Sequence, residues 1–435
     1  MHGSAVPSRK VTEGRTIMKK NVKVGVVGLG LRGRCLVDMC LSEMKDVEIV
    51  YLCDISEDAL AKTVELLDKK GIPTPKLTKD YRDVTNDRTV DAVLALGGWD
   101  MHMTVALASL KAGKYTAIEV GCAYDISECW ALVDASEETG APLMMLENDC
   151  YCRRAMTALN MARQGLFGEI VHCDGAYRHY LAEYDLFRGA STENLPYRLW
   201  EYVYRNAHQY PTHDLGPVSK ILNVNRGNRL TKLVSVASKA RGLADYAART
   251  FGEENEFAKL DYRQGDIVTT VISCAGGETI TLNLDTSLPR PNHLQDFCVR
   301  GTRGMCSENL QNFYLVGMEG WHTFNEDEFY EKYDHPLHRE IQKSGARGAH
   351  GGIDWLTVRA FIESVKCGTQ TPIDVYDTAT WMSIGTLTEQ SIARGGAPVD
   401  IPDFTRGKWF RREPVVVQKY SLDVVVDDPD TPVYP

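Results

Sequence analysis

The stretch that most constrains this chain is Val22-Lys-Val-Gly-Val-Val-Gly28-Leu-Gly30-Leu-Arg-Gly33, an apolar run breaking into a turn with G-x-G-x-x-G spacing. Each glycine has its own steric reason. The first permits the tight turn, the second lets a pyrophosphate approach the backbone, and the third lets the next helix pack against the strand. The helix N-terminus then offers N–H groups to the anion. A helix over 34–41 follows, then a second apolar run, Val47–Cys53, ending at Asp54. A carboxylate there can accept from both hydroxyls of an adenosine ribose and would repel a phosphate on it. A lone glycine triplet is weak. Bracketed by strand, helix, strand and acid, it predicts a dinucleotide site that takes NAD rather than NADP.

The alternation continues. Ser56 caps a helix to Lys69, 91–96 reads as strand, and Gly97–His102 as the loop at its carboxyl end. Helix 104–111, strand 115–120, helix 127–138 and strand 142–146 complete the series. Strands alternating with helices imply a doubly wound parallel sheet, with ligands beyond the carboxyl ends of its strands. That rule gathers Asp54, Trp99, Asp100, Met101, His102, Glu119, Val120, Glu147 and Asn148 around one crevice. Past residue 150 the texture changes. One more helix, 154–164, precedes strand-like runs at 169–177, 233–237, 266–274, 279–284 and 297–301. The fold expected is an α/β Rossmann domain over 18–149, then an α+β domain over 150–401 with a mainly antiparallel, open-faced sheet. An aromatic insertion, 180–210, carries six tyrosines. Residues 1–17 read as a leader outside the fold, with Met18 the expected start. The Pro- and Asp-rich 402–435 are expected to wrap the surface.

Composition narrows the partners. A net charge of −10 without a basic stripe argues against nucleic acid. No run approaches the ~18 apolar residues of a membrane span. Twelve cysteines without a C-x-x-C pair read as free thiols in a reducing, cytoplasmic setting. The histidines His172, His179, His208, His335 and His338 lack zinc-site spacing, and no catalytic metal is expected.

The motif order resembles the glucose–fructose oxidoreductase and inositol dehydrogenase family, in which a Rossmann domain precedes an α+β domain. Most such dehydrogenases carry Glu-Lys-Pro after the fourth main strand, and that lysine takes part in proton transfer. Here the triplet is Glu119-Val120-Gly121, and valine cannot relay a proton. One branch matches the departures. Leu31-Arg32, Trp99-x-x-His102, Glu119-Val120, Leu146-Glu147-Asn148, Tyr177-Arg178-His179, Tyr210-Pro211-Thr212-His213 and Gly348-Ala-His350-Gly-Gly352 look like glycoside hydrolase family 109.

That resemblance implies a tightly held NAD, reduced and re-oxidised within each turnover, on α-N-acetylgalactosaminides or related hexosides. Carbon 3 of the sugar becomes a ketone, the now acidic proton on carbon 2 is removed, the substituent on carbon 1 leaves, water adds and the hydride returns. The implied NAD contacts, beyond Gly28, Gly30 and Gly33, are Leu31, Arg32, Asp54, Trp99, His102, Glu119, Val120 and Asn148, with Asp100 and Met101 replacing a commoner Glu-Trp. The implied sugar contacts are Tyr177, Arg198, Tyr210 and His213, with Pro211, Thr212 and His350 in the same motifs. Asn292 stands where the family usually has tyrosine. Relatives commonly pair through an exposed sheet face, so a dimer is expected.

His213 is the candidate base for the hydroxyl proton, since histidine titrates near working pH. Tyr210 or Tyr177 could take the carbon 2 proton or assist the leaving group if nearby charge lowers its pKa. Glu147 stands at the domain handover, placed to orient sugar and nicotinamide. A net sugar oxidoreductase and a non-catalytic dinucleotide sensor are the competing readings.

Overall fold

The computed structural model describes residues 19–318, 326–345 and 348–426, so the expected 1–17 leader and Met18 lie outside it. Six strands, β1 (Val22–Val27), β2 (Val47–Cys53), β3 (Lys76–Thr78), β4 (Ala92–Ala95), β5 (Tyr115–Ile118) and β6 (Leu143–Met145), form a parallel sheet in the order β3-β2-β1-β4-β5-β6. Its strand order reverses between β1 and β4, the topological point at which such sheets open a ligand crevice. All of β4 is buried, as expected of a strand covered on both faces. Helices α1 (Leu31–Met39), α2 (Glu57–Lys69), α3 (Tyr81–Asn86), α4 (Trp99–Lys111) and α5 (Ile126–Thr139) cover it.

Two helix starts differ from the sequence reading by more than one residue, and β3 and α3 were not expected from it. Helix α1 begins at Leu31 rather than 34, because Gly33 fits inside its first turn. Helix α4 begins at Trp99 rather than 104, because extended Gly98 serves as its N-cap. Trp99–His102 is therefore a helical first turn, and its side chains are fixed by helix geometry. Ser56 caps α2 as expected, its hydroxyl accepting from the Ala59 N–H at 3.2 Å.

The second sheet holds β7 (Ile170–Arg178), β8 (Leu230–Ala237), β9 (Ile267–Cys274), β10 (Thr279–Asp285), β11 (Cys298–Gly301), β12 (Gly304–Ser307), β13 (Asn312–Leu315) and β14 (Val399–Asp400). Their order is β13-β12-β11-β7-β10-β9-β8-β14, antiparallel throughout except for the β7–β10 pair. Along β9 the inward residues Val268, Thr270, Ile272 and Cys274 are buried while Val271 faces out. Around this sheet lie α6 (Arg153–Arg163), α7 (Tyr197–Tyr204), α8 (Thr212–Ile221), α9 (Gly242–Phe251), α10 (Glu256–Lys259), α11 (Glu326–Tyr333), α12 (Pro336–Ser344), α13 (Ile353–Cys367) and α14 (Val375–Ala393). Helix α14 touches α5, β6 and β8, so it bridges the two sheets. Helix α13 returns to β1 and α1.

The tail departs from expectation. Val417 and Leu422 are fully buried rather than laid on the surface. Asp423 enters a buried ion cluster in which Lys220 meets Asp377 at 2.7 Å and Asp423 at 3.1 Å. Arg226 meets Asp374 at 2.9 Å and Asp377 at 2.7 Å in the same cluster. Among the described residues, no helix is long and apolar enough to cross a membrane.

Candidate active site

The glycine turn divides its work as the spacing predicts. A Cβ on Gly28, whose φ is +95°, would stand 2.3 Å from the Gly97 nitrogen, and one on Gly33 would stand 2.2 Å from the Gly28 oxygen. A Cβ on Gly30 would meet nothing within 4 Å. That open space faces the start of α1, where no side chain caps the helix, so its N–H groups are available to a pyrophosphate. Asp54 ends β2, its two carboxylate oxygens accepting from the Leu29 N–H at 2.6 Å and the Ser56 N–H at 2.8 Å. The residues present fit NAD.

Asp354, in the first turn of α13, ties the crevice together. Its carboxylate receives two bonds from Arg32 (2.7 and 2.9 Å), one from the Asn148 amide (2.7 Å), and pairs with His350 Nδ1 at 2.7 Å. Arg32 also donates to Glu119 at 3.0 Å. Burial would raise the Asp354 pKa, but His350 and Arg32 together hold it well below the usual range. Four residues picked out by sequence, Arg32, Glu119, Asn148 and His350, thus meet around one that was not. His350 is tied to this hub in a short turn with φ +50°, its side chain largely exposed.

Deeper in, His213 opens α8. Its Nδ1 lies 2.7 Å from Glu147 and 3.3 Å from Asp149. Burial opposes charge on this imidazole, but the two carboxylates win and push its pKa up to about 9. Asp149 moves up to about 6, by burial and by Glu147, with His213 pulling the other way. The ligand-type atoms of this trio lie within 4.8 Å of one another, a spacing that could gather a cation. The proton held between His213 Nδ1 and Glu147 accounts for the same closeness. Glu147 is fully buried and also accepts from the Asp149 N–H at 3.0 Å, so it orients His213 from behind.

Aromatic rings enclose His213. Tyr177 stacks against Tyr210 at 4.5 Å and lies 5.4 Å from His213, and Tyr210 leads on to Trp99 at 5.6 Å. Arg198, from α7, lies over Tyr210 at 5.1 Å and Trp99 at 5.7 Å. Its buried Nε has no partner among the described residues, a donor left for a ligand. The condition set for a tyrosine base, a pKa lowered by nearby charge, is not met. Burial pushes Tyr177 up to about 12 and Tyr210 well above its ordinary value, and Arg198 only partly offsets it.

The remaining candidates separate. His102 is buried, bonded to the Gly97 carbonyl at 3.0 Å and lowered by burial to about 4, so it braces the turn as a neutral ring. Asp100 and Met101 sit at the start of α4, with Met101 part-exposed. Pro211 and Thr212 are buried behind His213. Asn292 is exposed, and its carbonyl accepts from Arg290 at 2.7 Å. Asp149, Asp354 and His293 were not singled out by sequence. Asp354 is signalled only by standing four residues after His350.

Val120 is buried where the related dehydrogenases carry lysine. A Cβ on Gly121 would lie 2.7 Å from Trp99 Cδ1, so glycine here makes room for the indole. Residues 151–411 match the family model described as "Glycosyl hydrolase 109, C-terminal domain". The chain belongs to glycosyl hydrolase family 109. Residues 22–147 match the "Oxidoreductase family, NAD-binding Rossmann fold", so this family 109 glycosidase carries an NAD-binding domain. An alpha-N-acetylgalactosaminidase of Tannerella forsythia is 37% identical, over 95% of this chain and 92% of that relative. A glycosyl hydrolase family 109 protein of Parabacteroides distasonis is 36% identical, over 94% and 92%. The fold is shared with a levoglucosan dehydrogenase in complex with NADH (TM-score 0.64, 18% identity, 88% of this chain and 100% of that one). It is also shared with an inositol dehydrogenase homologue of Azotobacter vinelandii (TM-score 0.62, 17% identity, 88% and 99%).

Proposed function

We propose that this family 109 enzyme hydrolyses α-N-acetylgalactosaminides or related hexosides by transient oxidation, elimination and re-reduction with one tightly held NAD. The observation that carries the reading is the His213–Glu147–Asp149 trio under Tyr177 and Tyr210, facing a dinucleotide crevice whose usual lysine is the buried Val120. Relatives named for α-N-acetylgalactosaminidase activity support the substrate class. NAD, when bound, supplies a reversible hydride acceptor. Glycosidases that work without a carboxylate pair flanking the bond are known exceptions to the usual scheme.

The chain's own residues do the rest. Glu147 fixes Nδ1 of His213, which leaves Nε2 to exchange a proton with a sugar oxygen. The sequence reading made His213 a base. Its raised pKa makes it a strong acceptor for the carbon 3 hydroxyl proton as the hydride leaves, and the imidazolium so formed donates to that oxygen as negative charge develops there in the elimination. Arg198 offers its unpartnered N–H to hydroxyl or acetamido oxygens. The twelve unpaired cysteines support a reducing, cytoplasmic setting. Exposed Val236 and Val271, on the open sheet face, support pairing of two chains there.

Purified protein given a chromogenic α-N-acetylgalactosaminide without added NAD is expected to release the chromophore with no build-up of NADH. NADH accumulating one-for-one with substrate would instead establish a net dehydrogenase. Bound NAD with neither signal would reject catalysis on this sugar.

A further inference from the structure

Two imidazoles at the site have no part in the His213 trio. His179 follows β7, and its N–H donates to the Asp285 carbonyl at 3.0 Å, so strand pairing runs past Arg178. The two-residue repeat of a strand then sets His179 on the same side as Tyr177. Tyr177 Oη and His179 Nδ1 are 3.3 Å apart, with the rings edge-on at 81°. His293, from the β10–β11 connection, stacks on His179 at 4.8 Å and 25° and meets the Tyr177 edge at 5.4 Å. Tyr184 also meets the His179 ring, edge-on, at 5.2 Å. Tyr177 thus has the sugar-facing cluster of Tyr210 and His213 on one side and an imidazole acceptor on the other.

We infer that Tyr177 and His179 act as one proton-transfer unit, with His293 as a positioning residue that holds the His179 ring by stacking. The step rests on the elimination reading above. As the bond between carbon 2 of the sugar and its hydrogen breaks, the electron pair moves onto the neighbouring carbonyl oxygen. The proton goes to Tyr177 Oη, and the phenolic proton passes to His179 Nδ1. The products are an enolate, a neutral phenol and an imidazolium, so charge and protons balance without a standing phenolate.

Three observations converge on this unit. A phenol pushed up to about 12 by burial is a poor base on its own account. His179 is held neutral, first by burial and then by Arg198, His213, Arg290 and His350, which leaves a lone pair on Nδ1. The groups facing it are Tyr177, Tyr184 and His293, and none of them is an anion. A weak base suffices when the oxygen that gains charge is met by strong donors, as in enzymes whose carboxylate base titrates near ~4.6. The protonated His213 beside Tyr177 is such a donor.

The test uses the holoenzyme with a chromogenic α-N-acetylgalactosaminide, comparing wild type, His179→Gln, Tyr177→Phe and the double variant. His179→Gln keeps an acceptor but cannot take a proton. Its kcat is expected to fall about 100-fold or more. Reduced cofactor should build up on the enzyme, because oxidation proceeds while elimination stalls. Deuterium at carbon 2 should then slow the variant more than wild type. Because the two residues act as a unit, the double variant should lose no more than the worse single one. In wild type, kcat should fall on the acid side as His179 protonates, and Tyr177→Phe should abolish that limb. A His179→Gln enzyme within threefold of wild type, multiplicative losses in the double variant, or lost turnover without reduced cofactor while NAD stays bound would each overturn the unit. If His179→Gln fails to fold, the wild-type acid limb and its loss in Tyr177→Phe decide. Failure of the wild type to release chromophore at all would instead reject the elimination reading itself.

Discussion

Glu147 is buried against His213 rather than placed to touch sugar and nicotinamide directly. Fully buried, it fixes His213 and holds the proton on that ring. Raising a group's pKa from 6.5 to about 9 is a statement about stability. The folded state binds the His213 proton more tightly than the unfolded chain does. The stabilisation is therefore complete below pH ~6.5 and is lost as pH rises through about 9. Its full size is about 3 kcal/mol. Denaturation at pH 6, 8 and 10 should show this loss in wild type but not in His213→Gln. In Glu147→Gln the His213 titration should move down, followed by proton NMR. Motif spacing made His213 and Glu147 legible. Asp149 and Asp354 were not, because their importance lies in distances to residues 64 and 322 positions away, His213 and Arg32.

At the scale of elements, the turn from β1 into α1 separates folding from binding within six residues. Gly30→Val adds its methyls to open space at an ordinary φ of −57°, so the fold should persist while the anion's place is filled. NAD retention should be lost with little change in melting temperature. Gly33→Val drives a side chain into the Gly28 carbonyl, and overpacking of this kind costs about 1–3 kcal/mol. Nucleotide released on denaturation, measured beside thermal melts, distinguishes the two. The longer Rossmann elements were readable from their apolar runs and the turn residues between them, whereas β3 and α3, three and six residues long, were missed because they are too short to show a period. Helix α14 was not, since burial on nearly every side erases the amphipathic stripe that marks a helix. Helix α13, buried along most of its length, escaped for the same reason.

Across the whole molecule, residues far apart in sequence hold the tail in place. Asp423 sits with Lys220, Arg226, Asp374 and Asp377, all buried. With Arg412 also paired to Asp374, three cations face three carboxylates, so removing one carboxylate leaves positive charge uncompensated, and breaking such a pair typically costs about 3–5 kcal/mol. Asp423→Ala should lower the chemical denaturation midpoint by a corresponding amount without changing NAD content. The tail's burial was hidden from sequence because its Pro- and Asp-rich texture is also that of a solvated strap. The glycine beneath Trp99 reaches further. Restoring a dehydrogenase-like Lys-Pro pair at Val120-Gly121 would need an ammonium in an apolar hollow and a ring where the indole now lies. Neither change is tolerable without the other's surroundings being rebuilt. The indole against Gly121 thus reserves that backbone position for glycine, and any side chain placed there must first displace Trp99.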